Sequence, residues 1–291
     1  MKKLLSLSLL AVCAPAWAAG PLVHGHRGSR GTMPENTLPA FEEALKAGAD
    51  VLELDLGVTK DDVVVVSHEP NVTPERCLGE KGAKLERPVP IRSLTLAELK
   101  RYDCGTLVNP KFPKQKAAPG TPMPTLEEVF TLVSKSRLPA ARRVEFNIET
   151  KIFPYDPELT PPPAVFAGLV VTAIKRYGMG PRTMVQSFDV RTLKEVKMLA
   201  PEIRTSQLTY EELLDIVPAL KAAATDIWSP NYKWITADAV KEAQQAGFKV
   251  APWTINTPKE WDIAIAAGVD AIITDYPADL VSHLKAKKLR H

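Results

Sequence analysis

Apolar positions along this chain change period many times. Short runs of adjacent or alternating apolar residues read as strands. Stretches with apolar residues three and four apart read as helices. The first kind falls at 22–26, 51–56, 63–68, 144–150, 183–188, 205–208, 226–229, 249–255 and 271–274. The second falls at 38–47, 96–102, 125–136, 164–177, 190–199, 210–223, 236–246, 258–267 and from 278 onward. Punctuation supports the pattern: Gly48 and Gly178 follow helical runs, and Thr125 with Glu128 makes a capping box. Strands alternating with helices imply parallel pairing through right-handed crossovers. About eight such units predict a closed TIM (β/α)8 barrel. No Gly-rich nucleotide loop follows the first strand, which argues against an open doubly wound sheet.

One stretch breaks the rhythm. Between His68 and Thr125 the chain carries nine prolines and two of its three cysteines, Cys77 and Cys104. A structureless loop of that length is improbable in a compact domain unless it works. It reads as a small insertion, about 69–121, after the second barrel strand and over one mouth of the barrel. A second Pro-rich excursion spans 153–163. Both follow the C-terminal end of a strand, the side on which such barrels carry their active sites.

Composition adds an address. Residues 1–19 hold Lys2 and Lys3, an apolar run and Ala16-Trp17-Ala18, and read as a secretory signal peptide ahead of one barrel domain over 20–291. The mature chain is expected in the periplasm or outside the cell. Its remaining pair, Cys77 and Cys104, is expected to form a disulfide there. Losing Lys2 and Lys3 takes the formal charge from 37 − 34 = +3 to 35 − 34 = +1. That balance, without a basic run, gives no support to nucleic-acid binding. The mature chain shows no apolar amphipathic membrane helix, so no stable membrane association is expected.

Candidate chemistry gathers at strand ends. Glu53 and Asp55 lie two apart, hence on one face of an apolar strand. Buried together they repel, and a divalent cation is the usual remedy; oxygen-only ligands suit Ca²⁺ or Mg²⁺. A valine run then ends in Ser67 and His68, a side chain that titrates near neutrality. A half-exposed edge strand with a surface histidine is the plainer alternative. His26-Arg27-Gly28 ends the first strand: an acid or base, a phosphate fork, and a residue that lets backbone approach a ligand. His24 reads as a hydrogen-bonded core histidine, and 29–31 as flexible loop. On the strand at 144–150, Glu145, Asn147 and Glu149 share a face with Lys151. Glu149 could complete a metal site and Lys151 meet a phosphate oxygen, or the two form an internal salt bridge. Gln186, Trp253 and Asp275, taken singly, read as structural.

In order, His-Arg-Gly, Pro-Glu-Asn-Thr, Glu-x-Asp, a valine run ending in His, and Glu-x-Lys resemble the glycerophosphodiester phosphodiesterases. The similarity runs from Val23 to about Pro277. It implies a TIM barrel with an insertion after the second barrel strand. It also implies metal-dependent hydrolysis of glycerophosphodiesters to an alcohol and sn-glycerol 3-phosphate. By motif, His26 and His68 would be the acid/base pair, and Glu53, Asp55 and Glu149 the metal ligands. Arg27 and Lys151 would hold the phosphate, Glu35 would lie near metal or glycerol, and Trp253 would pack on the glycerol. Two positions depart from the pattern: Glu69 stands where Asp often follows the second histidine, and Asp61-Asp62 where Asp-Gly often precedes the valines.

Two other readings compete. A phospholipase C-like or sphingomyelinase D-like phosphodiesterase would share the barrel and the histidine pair. A periplasmic solute-binding protein would suit the leader, but not two histidines and a carboxylate trio at strand ends.

Overall fold

The computed structural model describes residues 20–291; the expected leader over residues 1–19 lies outside them. Strand β1 (Leu22–Gly25) leads to helix α1 (Leu38–Ala47) and strand β2 (Val51–Val58). A short β3 (Val64–Val66) returns antiparallel to β2, pairing Leu56 with Val66. Then come a two-stranded ribbon, β4 (Asn71–Val72) with β5 (Val89–Pro90), and α2 (Leu96–Leu99). From α3 (Leu126–Lys135) onward the chain alternates strictly. The pairs are β6 (Glu145–Thr150) with α4 (Pro163–Arg176), and β7 (Thr183–Ser187) with α5 (Val190–Leu199). They continue as β8 (Arg204–Thr209) with α6 (Ile216–Ala222), and β9 (Ile227–Pro230) with α7 (Ala237–Gln245). Last come β10 (Lys249–Val250) with α8 (Pro258–Ala266), and β11 (Ala271–Thr274) with α9 (Pro277–Ala286).

Eight parallel strands run in the order β10-β9-β8-β7-β6-β2-β1-β11. Asp270 N donates to Val250 O and Ile273 N to Pro252 O, at 2.9 and 3.0 Å, bridging the gap between the end strands. The result is a nearly closed (β/α)8 barrel, as the strand–helix rhythm implies.

Period-two alternation decides which side chains enter it. Leu52, Leu54 and Leu56 of β2, with Phe146 and Ile148 of β6, face outward into the core beneath α1, α3 and α4. Each is fully buried and contributes about 2 kcal/mol by removal of apolar area from water. Their alternates point inward. Val51, Met184, Ile227, Ala251 and Ala271 form an apolar floor across the barrel. One step toward the C-terminal ends, the inward positions of β2 and β6 are Glu53, Asp55, Asn147 and Glu149.

Two elements are shorter than their apolar pattern. The helix expected from 210 begins at Ile216, because Pro218 is tolerated only in a first turn. The strand expected over 249–255 stops at Val250, because Pro252 has no N–H for the ladder. Trp253 therefore sits beyond the strand rather than in it, bridged to Asn231.

The segment between β3 and α3 carries a small core of its own: Val65, Val72, Cys77, Ile91, Leu99 and Met123. A Cys77–Cys104 disulfide fastens it. Gln115 Nε2 donates to Arg30 O and Met33 O, at 2.7 and 3.0 Å, and ties its far end to the β1–α1 loop. Among the described residues, no helix is long and apolar enough to cross a membrane.

Candidate active site

The strand ends bring the charged side chains together. Register places Asp55 beside Glu149 and Glu53 beside Asn147. Glu53, Asp55 and Glu149 are all buried, and each offers an oxygen within 4.8 Å of the others. Gln186 Nε2 donates to Glu53 Oε1 at 2.7 Å, and Asn36 Nδ2 to Asp55 Oδ2 at 2.9 Å. Lys151 Nζ lies 2.6 Å from Glu149 Oε1 and 3.1 Å from Asp55 Oδ1. That second contact is an ion pair without hydrogen-bond alignment, so Asp55 Oδ1 is buried with no hydrogen-bond donor.

Charge in the cluster is unevenly held. Burial pushes Glu53 well above the usual carboxylate range, and Asp55 and Glu149 push it further. Burial also raises Glu149, to about 7, with Lys151 pulling it down and Asp55 pushing it up. Asp55 goes the other way: burial raises it, but Lys151, Arg27 and His68 outweigh burial. An all-oxygen trio in which two carboxyls are raised by burial and like charge, and the third, Asp55, has a buried oxygen without a hydrogen-bond donor, fits a hard divalent cation.

The loop after β1 supplies the cations. Arg27 adopts φ 49°, a conformation that L side chains rarely take. Its backbone N donates to Glu53 Oε2 at 2.8 Å, while Nη1 donates to Glu35 Oε1 at 2.8 Å. Its Nε lies 3.2 Å from Asp55 Oδ2. Glu35 also accepts from Arg76 of the inserted segment. Thr37 closes the motif by capping α1. Packing requires Gly28: at φ 85° a Cβ there would lie 2.6 Å from the Ala40 carbonyl carbon.

Two imidazoles flank the cluster, and each is held at Nδ1 by a carboxylate. His26 Nδ1 is 2.7 Å from Asp275 Oδ1, and His68 Nδ1 is 2.8 Å from Glu69 Oε1. A ring held so keeps its proton on Nδ1 and presents Nε2. His26 Nε2 lies 3.9 Å from Glu53. Burial lowers His26 to about 4, Arg30 adds to that, and Asp275 opposes it. Burial lowers His68 as well, against Asp55 and Glu69. Asp275 itself is raised by burial, but His26 and Arg30 hold it well below the usual carboxylate range.

A cavity of about 340 Å³ opens over these groups, with Phe188, Tyr210 and Trp253 on its wall. The Trp253 ring stands 5.6 Å from Phe188 and 6.0 Å from Tyr210. The structure thus gathers His26, Arg27, Glu53, His68, Glu149, Lys151 and Trp253 at one cavity. Asp55 and Glu35 do not line it: Asp55 reaches Lys151 and Arg27, and Glu35, paired with Arg27, lines a neighbouring cavity.

Sequence reasoning missed several partners. Arg30, read as flexible loop, forks Asp275 through Nε at 2.7 Å and Nη2 at 3.0 Å. Gln186 and Asp275, read as structural, touch a cluster carboxylate and a flanking histidine. Their places at strand ends were the available signal. Arg76, Phe188 and Tyr210 carried none. His24 is buried as expected, yet its Nδ1 has no hydrogen-bond partner.

Comparison with known proteins gives one consistent result. Residues 26–279 match the model of the glycerophosphoryl diester phosphodiesterase family. A glycerophosphodiester phosphodiesterase of Caldanaerobacter subterraneus subsp. tengcongensis is 33% identical over 90% of this chain and 96% of its own. The crystal structure of a Silicibacter pomeroyi protein ascribed the same activity superposes with a TM-score of 0.87 at 30% identity, covering 94% and 95% of the two chains. An Oleispira antarctica phosphodiesterase, solved with its product sn-glycerol-3-phosphate, shares the fold at a TM-score of 0.75 and 23% identity, over 91% and 97%.

Proposed function

The chain belongs to the glycerophosphoryl diester phosphodiesterase family, and we propose that it hydrolyses glycerophosphodiesters to an alcohol and sn-glycerol 3-phosphate by histidine acid/base catalysis. It is a phosphoric diester hydrolase. The observation that carries the finer reading is the buried carboxylate trio between two carboxylate-held imidazoles.

Glu53, Asp55 and Glu149 would hold a divalent ion, Ca²⁺ or Mg²⁺ by their all-oxygen chemistry. When bound, it would offset the phosphodiester's negative charge, which otherwise repels a nucleophile. The chain's own cations act on the same charge. Lys151 hydrogen-bonds Glu149 with one of its three donors and meets Asp55 as an ion pair only, which leaves donors for a phosphate oxygen. Arg27 keeps Nη2. Both are fixed before substrate arrives, so their orientation costs little during reaction.

The histidines move protons at Nε2. One takes the proton of the nucleophile, water or the adjacent glycerol hydroxyl. The other returns a proton to the departing alkoxide. Each transfer is worth about 10²–10⁴ in rate. Trp253, with Phe188 and Tyr210, forms an apolar wall on which glycerol carbons pack. One barrel domain over 20–291, with an insertion at about 69–121, would carry all of this. Export to the periplasm or beyond is supported by the leader-like residues 1–19 and by the Cys77–Cys104 bridge, which persists in oxidising compartments. Phosphorus NMR with glycerophosphocholine tests the reading: a new glycerol 3-phosphate signal is expected, abolished by chelator. Product formation unaffected by exhaustive chelation would remove the metal; no product from any glycerophosphodiester would remove the activity.

A further inference from the structure

His68 stands at a wall between two cavities. On one side is the catalytic cavity with its aromatic face; on the other is a second cavity, also of about 340 Å³, beneath the inserted segment. Apolar atoms dominate this second space: Val66, Leu107, Met123 and the Cys77–Cys104 bridge line it. The lid over it is not a loose loop. The disulfide fixes it internally, Gln115 ties it to the β1–α1 loop, and Lys116 N donates to Thr32 O at 2.9 Å.

Its charge is one-sided where it matters. Glu69 uses Oε1 for His68 and Arg76, and makes no hydrogen bond through Oε2. Glu75, exposed on the lining, has no ion pair among the described residues. Arg76 is taken up between Glu35 and Glu69. Among the described residues, the one lining cation left without a carboxylate is the exposed Lys111.

A phosphodiester has two arms, and in-line displacement sends the leaving arm away from the nucleophile. We propose that the second cavity is the pocket of the leaving alcohol, and that it selects a compact cationic amino-alcohol. The ammonium sits by Glu69 and Glu75, and its methylene and methyl groups pack on Leu107, Met123 and the disulfide. His68, lining both cavities, then delivers the Nε2 proton of its imidazolium to the leaving oxygen and keeps the Nδ1 proton toward Glu69, while His26 serves the nucleophile. This rests on the phosphodiesterase reading above.

Leu107 and Glu75 test it, because neither belongs to the catalytic machinery. Leu107→Trp fills the cavity from the lid. It should lower kcat/KM for glycerophosphocholine about tenfold or more, the scale of a blocked apolar pocket. It should leave hydrolysis of glycerol 3-phosphate methyl ester unchanged, since methanol needs no pocket. Glu75→Gln should lower the preference for glycerophosphocholine over glycerophosphoglycerol about threefold, the scale of an exposed ion pair. Calorimetric binding supplies a second readout: Leu107→Trp should weaken glycerophosphocholine but not glycerol 3-phosphate, which has no leaving arm. Equal loss on both esters, or no loss on either, overturns the pocket. An unmoved choline-to-glycerol ratio in Glu75→Gln overturns its charge preference. Were the wild type to turn over neither diester, the phosphodiesterase reading would fall, and the binding difference would still decide the pocket.

Discussion

His26 and Asp275 are 249 positions apart, yet His26 Nδ1 lies 2.7 Å from Asp275 Oδ1. Barrel closure makes the contact. Strands β1 and β11, the first and last of the barrel, pair with Gly25 opposite Thr274, so the residues that follow each of them meet. Asn256 Nδ2 and the Arg30 fork hold the carboxylate from the other side. Asp275 is thus clamped, and it clamps the ring.

The first prediction follows. Asp275→Asn keeps the shape and removes the charge, and its amide can present an N–H to Nδ1, forcing the proton onto Nε2. A base blocked at its working nitrogen should lose about 10²–10⁴ in kcat with KM little changed, as when any acid/base group is disabled. His26→Ala should lose a similar amount, and the double variant no more than either alone, because the two act as one unit. Steady-state kinetics on variants of native circular dichroism check this. A near-normal rate in Asp275→Asn, or additive losses in the pair, would take Asp275 out of the mechanism.

Legibility was uneven for physical reasons. The barrel could be read because each strand–helix unit repeats one local rule, and eight repeats outweigh errors at any single boundary. Those errors fell where proline overrode periodicity, at Pro218 and Pro252. The carboxylate trio could be read because Glu53 and Asp55 share a face at spacing two and Glu149 recurs on the neighbouring strand. The clamps could not. Asp275 and Gln186 act through contacts spanning 249 and 133 positions, which no local pattern encodes. Arg30 looked like loop because its Gly-flanked setting resembles one; its burial against Asp275 exists only once the barrel closes.

The second prediction concerns protons and metal. Burial, with like charge nearby, raises Glu53 well above its ordinary range and Glu149 to about 7. The metal-free fold therefore keeps protons that the unfolded chain has already released. Each raised carboxyl contributes stability at low pH that is lost as pH rises through its folded value. A divalent cation must displace those same protons, so its affinity should climb with pH through about 7, and binding should release protons. At a hundredfold excess over Kd the ion adds about 2.7 kcal/mol to stability. The gain in Tm on adding Ca²⁺ or Mg²⁺ should thus be larger at about pH 8 than at about pH 5.5. Scanning calorimetry with and without chelator measures it. A pH-independent gain, or none, would mean these carboxylates do not bind the ion.

The third prediction concerns the Cys77–Cys104 bridge, which closes a loop of 27 positions in the segment over the second cavity. That segment has a core of only six buried apolar side chains, half of them small (Val65, Val72 and Cys77), against the large clusters of the barrel. Chain-entropy arguments give about 3–4 kcal/mol for a cross-link of this span. Cys77→Ala with Cys104→Ala, or reduction of the native protein, should therefore loosen the segment well before the barrel unfolds. Limited proteolysis should cut between residues 78 and 118 while the remainder stays resistant. The site should change in a specific way. His68 follows β3, which is anchored to the barrel through Ser67 N and Asp55 O at 2.9 Å, so its proton transfer survives. Glu69 and Arg76, by contrast, answer to the segment. KM for glycerophosphocholine should rise more than kcat falls. Intact-mass measurement after alkylation without reductant establishes the starting state, where two alkylated cysteines would mean no bridge. Equal protease resistance of reduced and oxidised protein would show that the segment stands without it.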